Sequence, residues 1–121
     1  MDFTELARIA EEEVAALVRK LPPDVRKAAD RCVVTYERRP RHVGFDAELA
    51  GDELGLFEGA CMLDEDGYGD PPRIRLFLLN IWDWVASQEE DFLDEVATTY
   101  LHELGHYLGW DEDEIADRGL E

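Results

Sequence analysis

The residues best suited to chemistry lie near the C-terminus, in the segment YLHELGHYLGW at residues 100–110. His102 and His106 are four residues apart, and Glu103 directly follows the first histidine. On a helix, residues four apart lie on the same face, one turn from each other. Two imidazole nitrogens on one face can bind one zinc ion at about 2.1 Å, so this spacing predicts a metal site.

Glu103 is predicted to lie beside this ion and not on it, because it is about a hundred degrees around the helix from His102. Zinc lowers the pKa of bound water to about 7, so water can become a nucleophile there. From its position Glu103 can accept a proton from the metal-activated water and pass it to a leaving amine. The motif therefore predicts hydrolysis of an amide bond, with Glu103 as the general base.

A third ligand is expected, because catalytic zinc usually has three protein ligands and one open position. Gly109 predicts a sharp turn after the helix, which would bring the acidic residues that follow back toward the ion. Glu112 stands three residues after Gly109, the offset of the third ligand in the pattern HExxHxxGxxH. We predict Glu112 as the third ligand and Asp113 as the next candidate, with Asp111 also in reach.

The helix that carries the motif is predicted from about residue 87 to residue 108. Ser87 and Glu90 have the spacing of a capping box at its start. Thr99 and Glu95 precede His102 by three and seven residues, so either could hold an imidazole N–H, or both could be plain helix surface. Apolar residues at steps of three and four predict one buried stripe, formed by Leu93, Ala97, Tyr100, Leu101, Leu104 and Leu108.

The rest of the chain predicts an α+β fold with a small, mostly antiparallel sheet packed on helices. Residues 73–78 alternate in a way that indicates one buried and one partly exposed sheet face. We expect one domain over residues 1–121. Its predicted elements are an N-terminal helix over residues 1–20, a helix over 23–30, strands over 32–37, 54–63 and 73–80, and a helical turn over 80–86.

Composition excludes several classes of protein. Thirty acidic residues against twelve basic ones give a formal net charge of −18, which would repel a phosphate backbone, so no nucleic-acid partner is expected. No apolar run is long enough to cross a bilayer. The N-terminus lacks the order of a secretion signal, which predicts a cytoplasmic protein.

Cys32 and Cys61 are predicted to be buried thiols, although a disulfide between them also fits the sequence.

The segments HELGHYLG, LGLFEGACML and PPRIRLFLLN together resemble the minimal zincin-like metallopeptidases of bacteria, small single-domain proteins related in motif to the metzincins. The resemblance covers about the last two-thirds of the chain. It implies a zincin-like fold with the active-site helix near the C-terminus, Zn²⁺ on His102 and His106, and catalytic Glu103. It also implies a carboxylate third ligand after Gly109, where the pattern commonly has aspartate and this chain has Glu112.

A zincin-like fold also carries expectations about the substrate. Residues 73–79 should form the strand beside the cleft, where an extended peptide would pair by main-chain hydrogen bonds. The acidic surface predicts cationic peptides as substrates. Tyr68, on the glycine-rich loop, is the candidate for stabilising an oxyanion.

Three functions fit these observations. The first is a zinc-dependent peptidase that acts on a peptide or protein substrate. The second is a non-catalytic zinc-binding module in which the metal anchors the C-terminal tail. The third is a metal-dependent ribonuclease like one rRNA-processing family, but that family has no glutamate after its first histidine and has a third histidine where this chain has acids. The net charge also argues against RNA.

Overall fold

The computed structural model describes residues 1–41, 44–62 and 71–117, apart from the side chains of Phe45, Glu112, Ile115 and Ala116. Helices pack against a small sheet, which confirms the predicted α+β class. In chain order the elements are α1 (Phe3–Arg19), α2 (Pro23–Ala29), β1 (Val33–Glu37), a 3₁₀ turn (Gly44–Asp46), β2 (Gly55–Glu58), β3 (Arg73–Phe77), α3 (Leu78–Trp84), α4 (Glu89–Tyr107) and α5 (Glu112–Asp117).

The three strands form one mixed sheet in the order β1-β3-β2. β1 runs parallel to β3, with Val34 opposite Ile74, whereas β2 runs antiparallel to β3, with Phe57 opposite Ile74. The prediction of a mostly antiparallel sheet therefore needs correction, because one of the two pairings is parallel. The long connection between β1 and β3 gives the chain room to return in the same direction.

β3 is the central strand, and its side chains after Arg73 are buried on both faces of the sheet. Ile74 and Leu76 are fully buried on the face that also carries Phe57, and Phe57 contacts Tyr107 of α4 at 5.8 Å between ring centroids. On the other face Phe77 is fully buried and Arg75 is only 8% exposed. The prediction of a partly exposed face is wrong except at Arg73. The predicted strand 73–80 was also too long, since α3 begins at Leu78.

Helices α1 and α4 supply much of the hydrophobic core beside the sheet. Each large apolar side chain buried there contributes about 1.5–3 kcal/mol. On α4 the stripe is displaced from the predicted one, because Phe92 and Val96 are fully buried while Leu93 and Ala97 are only half-buried. The buried hydrophobic residues of these two helices are Leu6, Ala10, Val14, Phe92, Val96, Tyr100, Leu104 and Tyr107.

The two long helices begin differently. Asp2 caps α1 by accepting a hydrogen bond from the Glu5 backbone N–H at 2.9 Å. The predicted capping box of α4 is wrong, because Ser87 has a φ of 61° and belongs to a left-handed turn. Gln88 is the N-cap and makes no side-chain cap bond. Three acidic residues in the first turn instead favour this end of α4 through the helix dipole.

Arg75 is the centre of a carboxylate network on the sheet face opposite α4. Its guanidinium donates to both oxygens of Glu37 at 2.8 and 2.9 Å and to both oxygens of Asp46 at 2.7 and 2.8 Å. Glu58 of β2 adds an ion pair at 3.4 Å. Hydrogen bonds from Arg75 hold the pKa of Glu37 below its usual value. The network joins β1, the 3₁₀ turn and β2 through the central strand.

Two smaller predictions also have an outcome in the described part of the chain. No helix there is both long enough and apolar enough to cross a bilayer. Cys32 and Cys61 are both thiols, and each is half-buried.

Candidate metal centre

The candidate metal centre is formed by His102 and His106 on successive turns of α4. Their Nε2 atoms are 3.0 Å apart, and the ring centroids are 4.8 Å apart. Two nitrogen ligands of a tetrahedral zinc at about 2.0–2.1 Å would be separated by about 3.3–3.4 Å. The two rings therefore need to separate by only a few tenths of an ångström to accept an ion, and the pair fits zinc.

Glu103 completes the group that the sequence predicted. One ligand atom each from His102, Glu103 and His106 lie within 4.8 Å of one another, and all three side chains are half-buried. Partial burial keeps the group open to solvent on one side while the helix fixes its spacing. The arrangement places a carboxylate within reach of water beside the two imidazoles, which general-base chemistry requires.

The predicted turn after the motif is present. Gly109 has a φ of 80°, and its N–H donates to the His106 carbonyl at 3.0 Å. The Trp110 N–H donates to the Gly105 carbonyl, also at 3.0 Å. This pair of bonds is the usual ending of a helix at a left-handed glycine. It turns the chain away from the axis of α4 directly after the second histidine.

The turn leads into α5, and the contacts at the start of α5 bear on which acidic residue could be the third ligand. Asp111 accepts a hydrogen bond from the Glu114 N–H at 2.8 Å and so caps α5. Asp113 is exposed, and neither aspartate belongs to the histidine group. Glu112 is the first residue of α5, and its side chain lies outside the described part of the structure. Its predicted role as a ligand is therefore untested.

A groove of about 320 Å³ opens beside His102 and Glu103. One wall is the segment of residues 53–55 at the start of β2, and the other is the face of α4 that runs from Glu95 to Glu103. We call this the α4 groove. Thr99 donates to Glu95 at 3.2 Å in its wall, so these two predicted supporting residues are joined to each other.

Asn80 fixes the wall segment of the α4 groove, a role that the sequence did not reveal. Its side-chain amide is buried and donates to the carbonyls of Gly51 and Glu53, each at 2.8 Å. Its carbonyl accepts a hydrogen bond from Arg39 at 2.7 Å. A second cavity of about 680 Å³ lies beside this network and shares Glu53 and Leu54 with the α4 groove.

The strand predicted to receive a peptide cannot do so. β3, residues 73–77, is hydrogen-bonded to β1 on one side and to β2 on the other, so neither of its edges is available. The expectation that an extended peptide pairs along residues 73–79 is therefore wrong. β2 is an edge strand among the described strands, and its first residue lies against Thr99 and Glu103.

Tyr68, the candidate for stabilising an oxyanion, lies outside the described residues. No curated protein matches the chain. The sequence model of the zincin-like metallopeptidases matches residues 29–120, which are 92 of the 121 residues. The match spans the sheet, the two histidines, Glu103 and the turn at Gly109. The chain therefore belongs to the family of zincin-like metallopeptidases.

Proposed function

We propose that this protein is a zinc-dependent peptidase that hydrolyses peptide amide bonds, with Glu103 as the general base. The observation that carries the proposal is the compact group of His102, Glu103 and His106 on α4, beside a groove and an edge strand. Membership of the family supports the same conclusion.

In this proposal His102 and His106 hold the ion, and Glu112 provides the third ligand. The support for Glu112 is its position, directly after the Asp111 cap and three residues beyond the turn at Gly109. A bound zinc ion would supply Lewis-acid activation of water and of the scissile carbonyl. Histidine nitrogens suit this ion because neutral imidazoles leave its positive charge in place.

Glu103 moves the proton. Its carboxylate accepts a proton as water attacks the carbonyl carbon, and it then donates that proton to the departing amine nitrogen. The carboxylate is held for this task by the helix, because Glu103 follows one metal-binding histidine and precedes the other by three residues. Positioned acid–base catalysis of this kind contributes about 10²–10⁴-fold in rate.

The substrate would bind as an extended peptide along β2. This strand takes the place of β3 in the hypothesis, because β3 is central and β2 is an edge strand among the described strands. Its backbone groups could pair with the peptide main chain, as in other cases of strand addition. The peptide would then pass the α4 groove, in which His102 and Glu103 lie.

Cationic peptides are the proposed substrates. Acidic side chains, including Glu53 and Glu95, line the α4 groove, and the whole chain has a net charge of −18. A negative groove raises the local concentration of positively charged peptides and speeds their association. We place this activity in the cytoplasm, as the sequence predicts.

Comparison of Glu103→Gln with Glu90→Gln tests the proposal. Glu90 is exposed in the first turn of α4 and gives a matched loss of one negative charge far from the histidines. We expect Glu103→Gln to retain zinc and lose at least about 100-fold in kcat on peptides, and Glu90→Gln to behave like the wild type. A zinc-loaded wild type that cleaves no member of a diverse peptide library would instead support the non-catalytic zinc module.

A further inference from the structure

We propose that Gly55 is a positioning residue for Glu103, because only a glycine lets β2 approach α4 closely enough to form the α4 groove beside Glu103. This inference rests on the proposed peptidase function, and it assigns a role to a residue outside the HExxH motif. Gly55 is the first residue of β2 and lies in the α4 groove with Thr99 and Glu103.

The contacts at Gly55 leave no room for a side chain. A Cβ atom there would be 2.6 Å from Cγ2 of Thr99, closer than real Cβ contacts allow. It would also be 3.1 Å from the Arg75 carbonyl oxygen and 3.5 Å from Cγ of Glu103. Gly55 has no left-handed φ, unlike Gly59, which follows the strand. The requirement for glycine at position 55 therefore comes from the close approach of β2 and α4 and not from backbone conformation.

Neither side of this contact can move freely. Thr99 is only 7% exposed, and its hydroxyl donates to Glu95 at 3.2 Å, so rotation of the side chain would break that bond. A β-branched side chain in a helix also has few alternative rotamers. On the strand side, the Leu54 carbonyl accepts a hydrogen bond from the Phe77 N–H at 2.9 Å. A side chain at position 55 must therefore push α4 and β2 apart.

That displacement would move Glu103 directly. It is four residues after Thr99 and lies on the same face of α4, where its Cγ already approaches Gly55. A misplacement of about 1 Å can cost about 10²-fold in rate. His102 and His106 would move together with Glu103 on the same helix, so their spacing and zinc binding should change much less than the position of Glu103 relative to a peptide on β2.

The experiment uses the full, zinc-loaded chain with four variants: Gly55→Ala, Thr99→Ser, the double variant, and Gly59→Ala. Thr99→Ser removes the methyl group at 2.6 Å but keeps the hydroxyl that bonds Glu95. Gly59→Ala is the matched control, because Gly59 follows β2, and its φ of 112° and its Cβ contact with Pro72 at 3.2 Å would strain the chain there, away from Glu103. For each variant kcat, KM, the Kd for zinc and the thermal midpoint are measured.

We expect Gly55→Ala to lower kcat by about 10- to 100-fold, with KM and the zinc Kd changed by less than about threefold. The double variant should differ from Thr99→Ser by less than about threefold in kcat, because the closest contact, the one at 2.6 Å, is gone. Gly59→Ala should lower the thermal midpoint while kcat at a permissive temperature stays at the wild-type value. A crystal structure of zinc-loaded Gly55→Ala should show the Glu103 carboxylate displaced.

Three results with an active wild type would overturn this inference alone. The first is a Gly55→Ala variant with kcat within twofold of the wild type. The second is a loss of kcat that Thr99→Ser does not reduce, and the third is a loss of kcat that parallels a loss of zinc. In the last two cases Gly55 would serve only the fold. A zinc-loaded wild type without any peptidase activity would overturn the proposed function and this inference together.

Discussion

Replacing Arg75 by methionine should destabilise the protein strongly, because it removes the guanidinium that is paired with Asp46 and Glu37 in a largely buried position. The Arg75 side chain is 9% exposed, and the Asp46 side chain is 12% exposed. Removing one partner of a buried ion pair costs about 3–5 kcal/mol. Glu37 is 31% exposed and keeps a hydrogen bond from Thr35 at 2.7 Å, so it can recover part of its solvation. We therefore expect the free energy of unfolding to fall by about 3 kcal/mol, near the lower end of that range.

The assay is urea-induced unfolding at pH 7 with linear extrapolation to water. Arg8→Met is the control, because it removes one positive charge from the same highly acidic chain. Arg8 pairs with Glu12 at 3.3 Å, but their side chains are 63% and 67% exposed. An exposed pair within one helix contributes at most about 0.5 kcal/mol. If the two variants differ by less than about 1 kcal/mol in the free energy of unfolding, the Arg75 network is not an anchor of the sheet.

Three further predictions concern pH, the third ligand and the substrate. Because the pKa of Glu37 is lowered in the folded state, its stabilisation is complete above the unfolded value of about 4.3 and is lost as the pH falls through the folded value. The difference in unfolding free energy between the wild type and Glu37→Gln should therefore shrink between pH 6 and pH 3 in urea titrations, and a constant difference would contradict the assignment. Glu112→Ala should raise the zinc Kd at least about tenfold in competition titrations, whereas Asp113→Ala should change it less than about threefold. Equal effects of the two variants on the zinc Kd would exclude Glu112 as the ligand. Peptides rich in lysine and arginine should be cleaved faster than acidic ones, and the preference should weaken at high salt; a library digest that favours acidic peptides would refute this.

The candidate site was predictable from the sequence where the positions of its residues depend only on their spacing along one helix. His102, Glu103 and His106 share one helix, so a spacing of four residues was enough to place them together. The turn at Gly109 followed from glycine's tolerance of a positive φ. The third ligand is different, because its position depends on how the chain continues after the turn. Spacing alone could not separate Glu112 from its acidic neighbours.

The parts of the fold that were mispredicted depend on distant residues. The alternation in residues 73–78 correctly indicated a strand, but burial of Arg75 requires carboxylates from β1 and the 3₁₀ turn, at sequence separations of 38 and 29 residues. The end of β3 was misplaced because a short apolar run fits a strand and a buried helix equally well. The central position of β3 depends on the order of pairing. That order leaves β3 with a partner on each side among the described strands, so the edge proposed for peptide binding is that of β2.

The central claim is that one zinc ion is held by His102 and His106 with a coordination position left for water. Metal analysis of protein purified without added metal, read together with anomalous diffraction at the zinc edge, tests it most directly. We predict one zinc per chain, about 2.0–2.1 Å from both imidazole nitrogens, with three protein ligands. Absence of zinc, histidine rings that point apart, or a fourth protein ligand in the open position would contradict the claim.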